Sequence, residues 1–112
     1  MRVEARLLEA GATLHAPALM DLEVAQVLRR YQSRGEITPS WGGAAMRLLA
    51  ALPVSRYTHE PLLSRIWELR DNMTAYDAAY VALGEALQAP VVTCDLKLAK
   101  VRGLRTSIEV IQ

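Results

Sequence analysis

"NMTAYDAAYVALGEAL", residues 72–87, fills about four helical turns with alanine, tyrosine, valine and leucine and admits one early charge, Asp77. A helix that is apolar nearly all round expects burial, and a carboxylate there is costly unless something pairs with it. Thr74 followed three positions later by an acid has the form of a capping box. Asp77 therefore either reaches back to cap its own helix or belongs to a site. A capping acid is more often glutamate or glutamine, and Val81 and Gly84 on the Asp77 side give that face the character of one meant to be covered.

Outward from this helix the chain alternates helices with short strands and shows no internal repeat and no low-complexity linker. On the amino side, "VEARLLEAG" (3–11) has one apolar face and a glycine stop, and "ATLHAP" (12–17) is a short strand. A second helix opened by Pro17 runs to Gly35. A third spans 39–52 with its apolar side at Trp41, Ala45, Leu48 and Leu49. "LPVSRYT" (52–58) alternates like a strand and "EPLLSRIWELRD" returns to helical spacing. On the carboxyl side come a buried-looking strand "APVVTCD" (89–95), a short helix "LKLAKV" and a last strand "SIEVI". Strands separated by helices predict an α/β fold with a parallel sheet flanked by helices in three layers, and sites in such sheets gather at the strands' carboxyl ends.

Composition bounds the function. At 112 residues the chain is expected to form a single domain. With 52% apolar and 22% charged residues it reads as a folded globule, and a net charge of +1 supplies no general pull toward nucleic acid or anionic membrane. A lone Cys94 excludes an internal disulfide and suits a reducing compartment. No apolar run has the length of a membrane span and the first residues lack a secretory pattern, so the cytoplasm is the expected location.

Two further acids interrupt apolar sequence. On a 100° wheel Glu23 falls between Leu19 and Val27, inside the apolar side of the second helix, while Asp21 lies at its edge and reads as solvated. Asp95 ends a strand and starts a helix, where it is either an N-cap or a site acid at a strand's carboxyl end. Glu23, Asp77 and Asp95 would repel one another if brought together without a counter-charge. A hard divalent cation such as Mg²⁺ or Mn²⁺ removes that conflict, and such sites act on phosphates.

"HAPALMDLEVAQVLRR", "NMTAYDAAYVALGEAL" and "VVTCDLKLAK" resemble, in order and spacing, the second, third and fourth acidic motifs of the PIN-domain family, and among its members the VapC-type toxins of toxin–antitoxin pairs. The resemblance implies a Mg²⁺-dependent endoribonuclease, with Mn²⁺ as a substitute. Glu23, Asp77 and Asp95 fall on its catalytic and metal-holding acids, and the hydroxyls of Thr74 and Thr93 stand where they would steady the carboxylates or bound water. It also implies an RNA substrate, a VapB-type antitoxin that covers the acids, and a homodimer.

One departure stands against the agreement. The family opens with an apolar strand that ends in an acid and forms the middle of the sheet, and no such segment precedes the helix at 3–11. The expectation is an N-terminally short PIN-like domain whose strands at 12–17 and 89–95 face a gap, with backbone groups left unpaired. A chain cut short, a different start codon, or a partner strand in the slot would each account for this. RNA contact would fall to local basic residues: Arg29, Arg30 and Arg34, then Arg70, then Lys97, Lys100, Arg102 and Arg105. Trp41 and Trp67 suit a core or a dimer contact, His15 and His59 lack metal-ligand spacing, and Cys94 reads as a packing residue. The rival reading is a catalytically silent PIN-like module that binds a second copy or an antitoxin peptide through apolar helix stripes.

Overall fold

The computed structural model describes residues 13–111. The expected helix at 3–11 lies outside them. β1 (Leu14–Pro17) pairs in parallel with β2 (Val54–Tyr57), Leu14 opposite Val54 and Pro17 opposite Tyr57. β3 (Val91–Thr93) pairs in parallel with β4 (Ile108–Val110), Val91 opposite Ile108. Among the described residues these are two separate two-stranded sheets, and no ladder joins β1 to β3. Among the described residues no strand lies between β1 and β3.

Helix α1 (Leu19–Ser33) follows β1 directly. Pro17 closes the strand rather than opening the helix, whose N-cap is Ala18 with no side-chain cap; Asp21 in the first turn and Arg30 in the last complement the helix dipole. Its end is enforced by Gly35, whose φ of +74 lets the amides of Gly35 and Glu36 turn back onto the carbonyls of Gln32 and Tyr31. Helix α2 (Pro39–Ala51) starts on Thr38, whose hydroxyl accepts the Trp41 amide at 3.1 Å, with proline at the first position. Its expected apolar side is only partly used: Leu49 is buried, but Trp41 and Leu48 are 57% and 69% exposed. A 3-10 turn (Glu60–Leu62) leads into the short α3 (Leu63–Glu68).

Helix α4 (Ala75–Leu87) is the quoted stretch, and it organises the core. It packs on α3, β1 and β3. Ala78 and Val81 join Leu69, Val91 and Leu98 in one buried cluster, while Ala82 and Leu83 join Leu62 in a second. Burying a side chain such as Val81 contributes about 1.5–3 kcal/mol. Gly84 has a packing reason: a Cβ there would stand 2.6 Å from a Val91 methyl and 3.1 Å from the Ala89 carbonyl. Only a glycine lets α4 lie this close to β3.

The carboxyl-terminal third is tighter than expected. The strand at 89–95 shortens to Val91–Thr93, because Pro90 brings no amide and the chain bends at Cys94. The predicted helix after it is a 3-10 turn (Leu98–Lys100), held by i to i+3 bonds from Leu98 to Asp95, Lys100 to Lys97 and Val101 to Leu98.

Candidate active site

The acid-bearing elements meet at a tyrosine. Tyr80 stands one turn after Asp77 on α4, and its hydroxyl donates to Glu23 Oε1 on α1 at 2.6 Å, across 57 positions of sequence. Burial pushes its pKa well above the usual tyrosine value, and the hydrogen bond to Glu23 and the charges of Glu23, Asp77 and Asp21 push the same way. Tyr80 is thus held as a neutral donor inside a negative field. Asp95 is not among the charges that move it.

Asp21 corrects the sequence reading. Instead of a solvated acid it is a half-buried ion-pair partner: Arg56 Nε donates to Asp21 Oδ2 at 2.7 Å, while the same guanidinium donates to the carbonyls of Leu49 and Val54. One arginine on β2 thereby ties the start of α1 to the end of α2. Asp21 Oδ1 is buried and has no partner among the described residues, an acceptor left with unused capacity.

At Asp77, the Thr74 hydroxyl accepts the Asp77 amide at 3.1 Å, so Thr74 caps α4 as the pattern predicted. The reciprocal half of the box is not made: no described donor reaches the half-buried Asp77 carboxylate. Asp95 behaves as a cap. Its Oδ1 accepts the Lys97 amide at 2.9 Å, and the Thr93 hydroxyl accepts the Asp95 amide at 3.0 Å, so Thr93 holds the backbone of Asp95 rather than its carboxylate. Both acceptors serve the turn, and Asp95 itself is exposed.

The other candidates sort as follows. Arg70 lies over the Trp67 ring at 4.6 Å and donates to the Trp67 carbonyl, which places a guanidinium on an exposed aromatic platform beside the start of α4. His15 is exposed; its Nδ1 is 2.6 Å from the Tyr57 hydroxyl and its Nε2 is 2.9 Å from the Thr13 hydroxyl. Cys94 is exposed, because β3 ends before it and the strand alternation that would have turned it inward no longer applies.

A divalent ion needs several oxygen donors within reach of one point. Among the described residues no group of three or more His, Cys, Asp or Glu side chains is arranged to hold one. Glu23 and Asp77 are related through Tyr80, and Asp21 brings an unpartnered oxygen, but with Asp95 engaged as a cap these acids fall short of a ligand set.

Sequence reasoning missed Tyr80, although its place three residues after Asp77 puts both on adjoining parts of one helix face. It also missed Glu85. That carboxylate takes Arg65 in a two-pronged grip, Nε to Oε1 at 2.7 Å and a terminal nitrogen to Oε2 at 3.1 Å, and accepts the Arg105 amide at 2.7 Å. Arg65 also reaches the Gly103 carbonyl. This clamp joins α3, α4 and the 103–105 loop. Burial alone would raise the Glu85 pKa, but the bonds from Arg65 and Arg105 and their charges outweigh it and hold the carboxyl below the usual range. No local signal marked it, since its partners lie 20 positions away on either side.

Parallel strands, an acid-bearing α4 and acids on α1 and after β3 define a class: the chain belongs to the PIN-domain family, whose model matches residues 1–104. It is 43% identical over 108 residues to the VapC ribonuclease Mb0985 of Mycobacterium bovis, covering 96% of this chain and 85% of that protein. It is 42% identical over 99 residues to ribonuclease VapC1 of Mycobacterium tuberculosis (88% and 74%), and 39% identical over 101 residues to ribonuclease VapC12 of that organism (90% and 78%).

Proposed function

We propose that this chain is a VapC-type endoribonuclease, the toxin of a toxin–antitoxin pair, which hydrolyses RNA phosphodiester bonds. The observation that carries the reading is the Tyr80 bridge: α1 and α4 are linked so that Glu23 and Asp77 both act on the hydroxyl of one half-buried tyrosine, with the Asp77 carboxylate left unused by any described structural bond. Similarity to proteins named VapC ribonucleases supplies the substrate class. In this reading Tyr80, kept protonated, fixes the orientation of Glu23; Asp77 is the acid free for chemistry; and Thr74 fixes the turn from which it projects. Arg70 on its tryptophan platform and Lys97 beside Asp95 take backbone phosphates. The reading includes dependence on a divalent ion, Mg²⁺ with Mn²⁺ as a substitute, and a VapB-type antitoxin as partner. The acids described here do not by themselves hold that ion.

The test is Asp77→Asn. The Asp77 amide still reaches Thr74 and no described bond to the carboxylate is lost, so the fold is expected to stay intact while divalent-ion-dependent RNA cleavage falls to background. Cleavage that survives in a folded variant removes Asp77 from the site. The rival reading, a silent binding module, is favoured by the incomplete acid set and by the exposed Leu22, Trp41 and Leu48 on α1 and α2. It predicts partner binding undiminished when Glu23, Asp77 and Asp95 are all converted to their amides, with no cleavage before or after.

A further inference from the structure

After β3 the chain runs from Lys97 to Arg105 as an arc with an apolar inner side and a basic outer side. Leu98 is buried in the main cluster, Leu104 packs against it and Val101 is half-buried, while Lys97, Lys100, Arg102 and Arg105 are all exposed. Four of the chain's 13 basic residues thus fall in one short stretch, and no Asp or Glu stands between Leu96 and Ile108. With a net charge of +1 overall, the remainder of the chain is net negative. None of the four side chains makes a hydrogen bond or ion pair among the described residues. Surface loops of this composition are ordinarily loose, yet this one is pinned along its length. At one end Asp95 Oδ1 accepts the Lys97 amide, and just past the other the Thr106 hydroxyl donates to the Ala89 carbonyl at 2.6 Å. Between them Glu85 Oε2 accepts the Arg105 amide at 2.7 Å, and Arg65 donates to the Gly103 carbonyl at 3.2 Å where the backbone turns through a φ of +81. The Glu85 side chain is 6% exposed and is gripped by the same Arg65.

We propose that residues 97–105 form a phosphate-binding arc for single-stranded RNA and that Glu85 is its positioning residue, which fixes, through Arg65 and the Arg105 amide, the curve on which the four cations are displayed. The chemistry of the clamp suits geometry more than stability. Taking an ion pair out of water costs much of what its attraction returns, so a buried pair holds directions better than it adds stability. The directions held here are those of a carbonyl and an amide within the arc. A carboxylate in this place opposes a polyanion unless it is neutralised, and Arg65 neutralises it. The ligand follows from the outer side. Exposed lysines and arginines without acidic partners, carried on a fixed backbone, match a chain of regularly spaced phosphates, and each contact releases a counterion. The arc begins two residues past Asp95, so a strand laid along it arrives at the carboxyl end of β3. RNA as the occupant rests on the ribonuclease reading, whereas the shaping of the arc by Glu85 does not.

The experiment mixes the whole 112-residue chain with a fluorescein-labelled oligouridylate in EDTA, which withholds any divalent ion, and reads anisotropy across a salt series. The log–log salt slope of the wild-type chain is expected near about −3, with about 0.7 contributed by each cation that meets a single strand. Arg102→Ala and Arg105→Ala are each expected to remove about 0.7 of it. The clamp survives in Arg105→Ala, because Glu85 accepts from the backbone amide. Arg47→Ala on α2, an equal loss of charge outside the arc, is expected to leave the slope unchanged. Glu85→Gln tests the positioning role by its sign. It makes the chain more positive, so electrostatics alone tightens binding, whereas loss of the held curve is expected to weaken it about fivefold. Gly103→Ala strains a positive φ in open space without changing any charge, and is expected to weaken binding as well; Gly35→Ala, equally strained at φ +74 outside the arc, is expected to leave it unchanged. Circular dichroism verifies that each variant is folded. Tighter or unchanged binding in Glu85→Gln, a slope indifferent to Arg102 and Arg105, or equal losses from the two glycine variants overturn the proposal. Poly-glutamate that binds more tightly than the RNA, the mark of a surface for an acidic protein segment, overturns it too. Cleavage is read separately with Mg²⁺. Its absence with the binding pattern intact removes the ribonuclease reading and leaves the arc, while cleavage without that pattern removes the arc and leaves the reading.

Discussion

Helix α4 buries six of its thirteen residues, whereas among the described residues α1, two residues longer, buries none. The difference lies in their neighbours. Two β-strands and α3 converge on α4, while among the described residues α1 packs mainly on β1 and α2 and reaches α4 through the Glu23–Tyr80 bond, with Leu22 left 75% exposed and Val27 and Tyr31 partly so. An apolar pattern announces that a face wants cover, but supplying the cover is a property of topology. In this molecule the topology is generous to one half and sparing to the other.

The sharpest way to break that comparison is to place the same charge in both halves. Val81→Asp puts a carboxylate at a fully buried position without a partner, and is expected to cost upward of about 4 kcal/mol and leave the chain unfolded in a urea titration. Leu22→Asp is expected to change stability by no more than about 0.5 kcal/mol. A large loss at Leu22 would show α1 to be covered in solution, and the contrast between the halves would vanish.

Glycine gives a subtler version with opposite signs. Gly84→Ala drives a methyl into Val91 and the Ala89 carbonyl and is expected to destabilise by about 1–3 kcal/mol. Gly43→Ala on α2, where the closest atom is the flexible end of Arg47 at 3.6 Å, is expected to stabilise by up to about 1 kcal/mol. Two melts decide it, and equal signs would mean that α4 can shift away from β3.

The Arg65–Glu85 clamp sharpens the comparison through pH. Because the folded Glu85 pKa is depressed, its contribution is present above the unfolded value of about 4.3 and is lost as pH falls through the folded value. Glu85→Gln is expected to flatten the acid limb of a stability–pH curve and to remove on the order of 1 kcal/mol at neutral pH. An unchanged acid limb would mean that the clamp is open in solution.

What could be read from the chain follows the same division. The alternation of helices and strands, the run of α4 and the Thr74 cap were all legible, because each rests on local periodicity or on the order of elements. The burial of Trp41 and Leu48 was misjudged, since spacing assigns a face but not a neighbour. Asp21 looked solvated because Arg56, its partner, lies 35 positions away. The acids were identified one by one, but how they relate depends on Tyr80 crossing from α4 to α1, and Asp95 reads as a cap once the turn after β3 is seen to need one.

Tyr80 also gives the smallest and most local test, at the seam between the two halves. Its hydroxyl is the described side-chain hydrogen bond between α4 and α1, so Tyr80→Phe leaves the ring in place and removes only that link, with an expected loss of about 1 kcal/mol or less at neutral pH. The pH dependence identifies the cause. With the folded pKa raised above the unfolded value of about 10, folded and unfolded chains are both protonated at lower pH and stability is unaffected there. As pH climbs past about 10 the unfolded chain ionises first and stability falls. Part of that alkaline loss is expected to disappear in Tyr80→Phe. Glu23→Gln, which keeps an acceptor but removes a charge, is expected to lower the folded Tyr80 pKa and so shrink the same alkaline loss in proportion to that drop, so the two variants separate the charge of Glu23 from the bond it accepts. An alkaline limb identical in all three chains would mean that α1 and α4 are not joined through this hydroxyl, and that the acids they carry move independently.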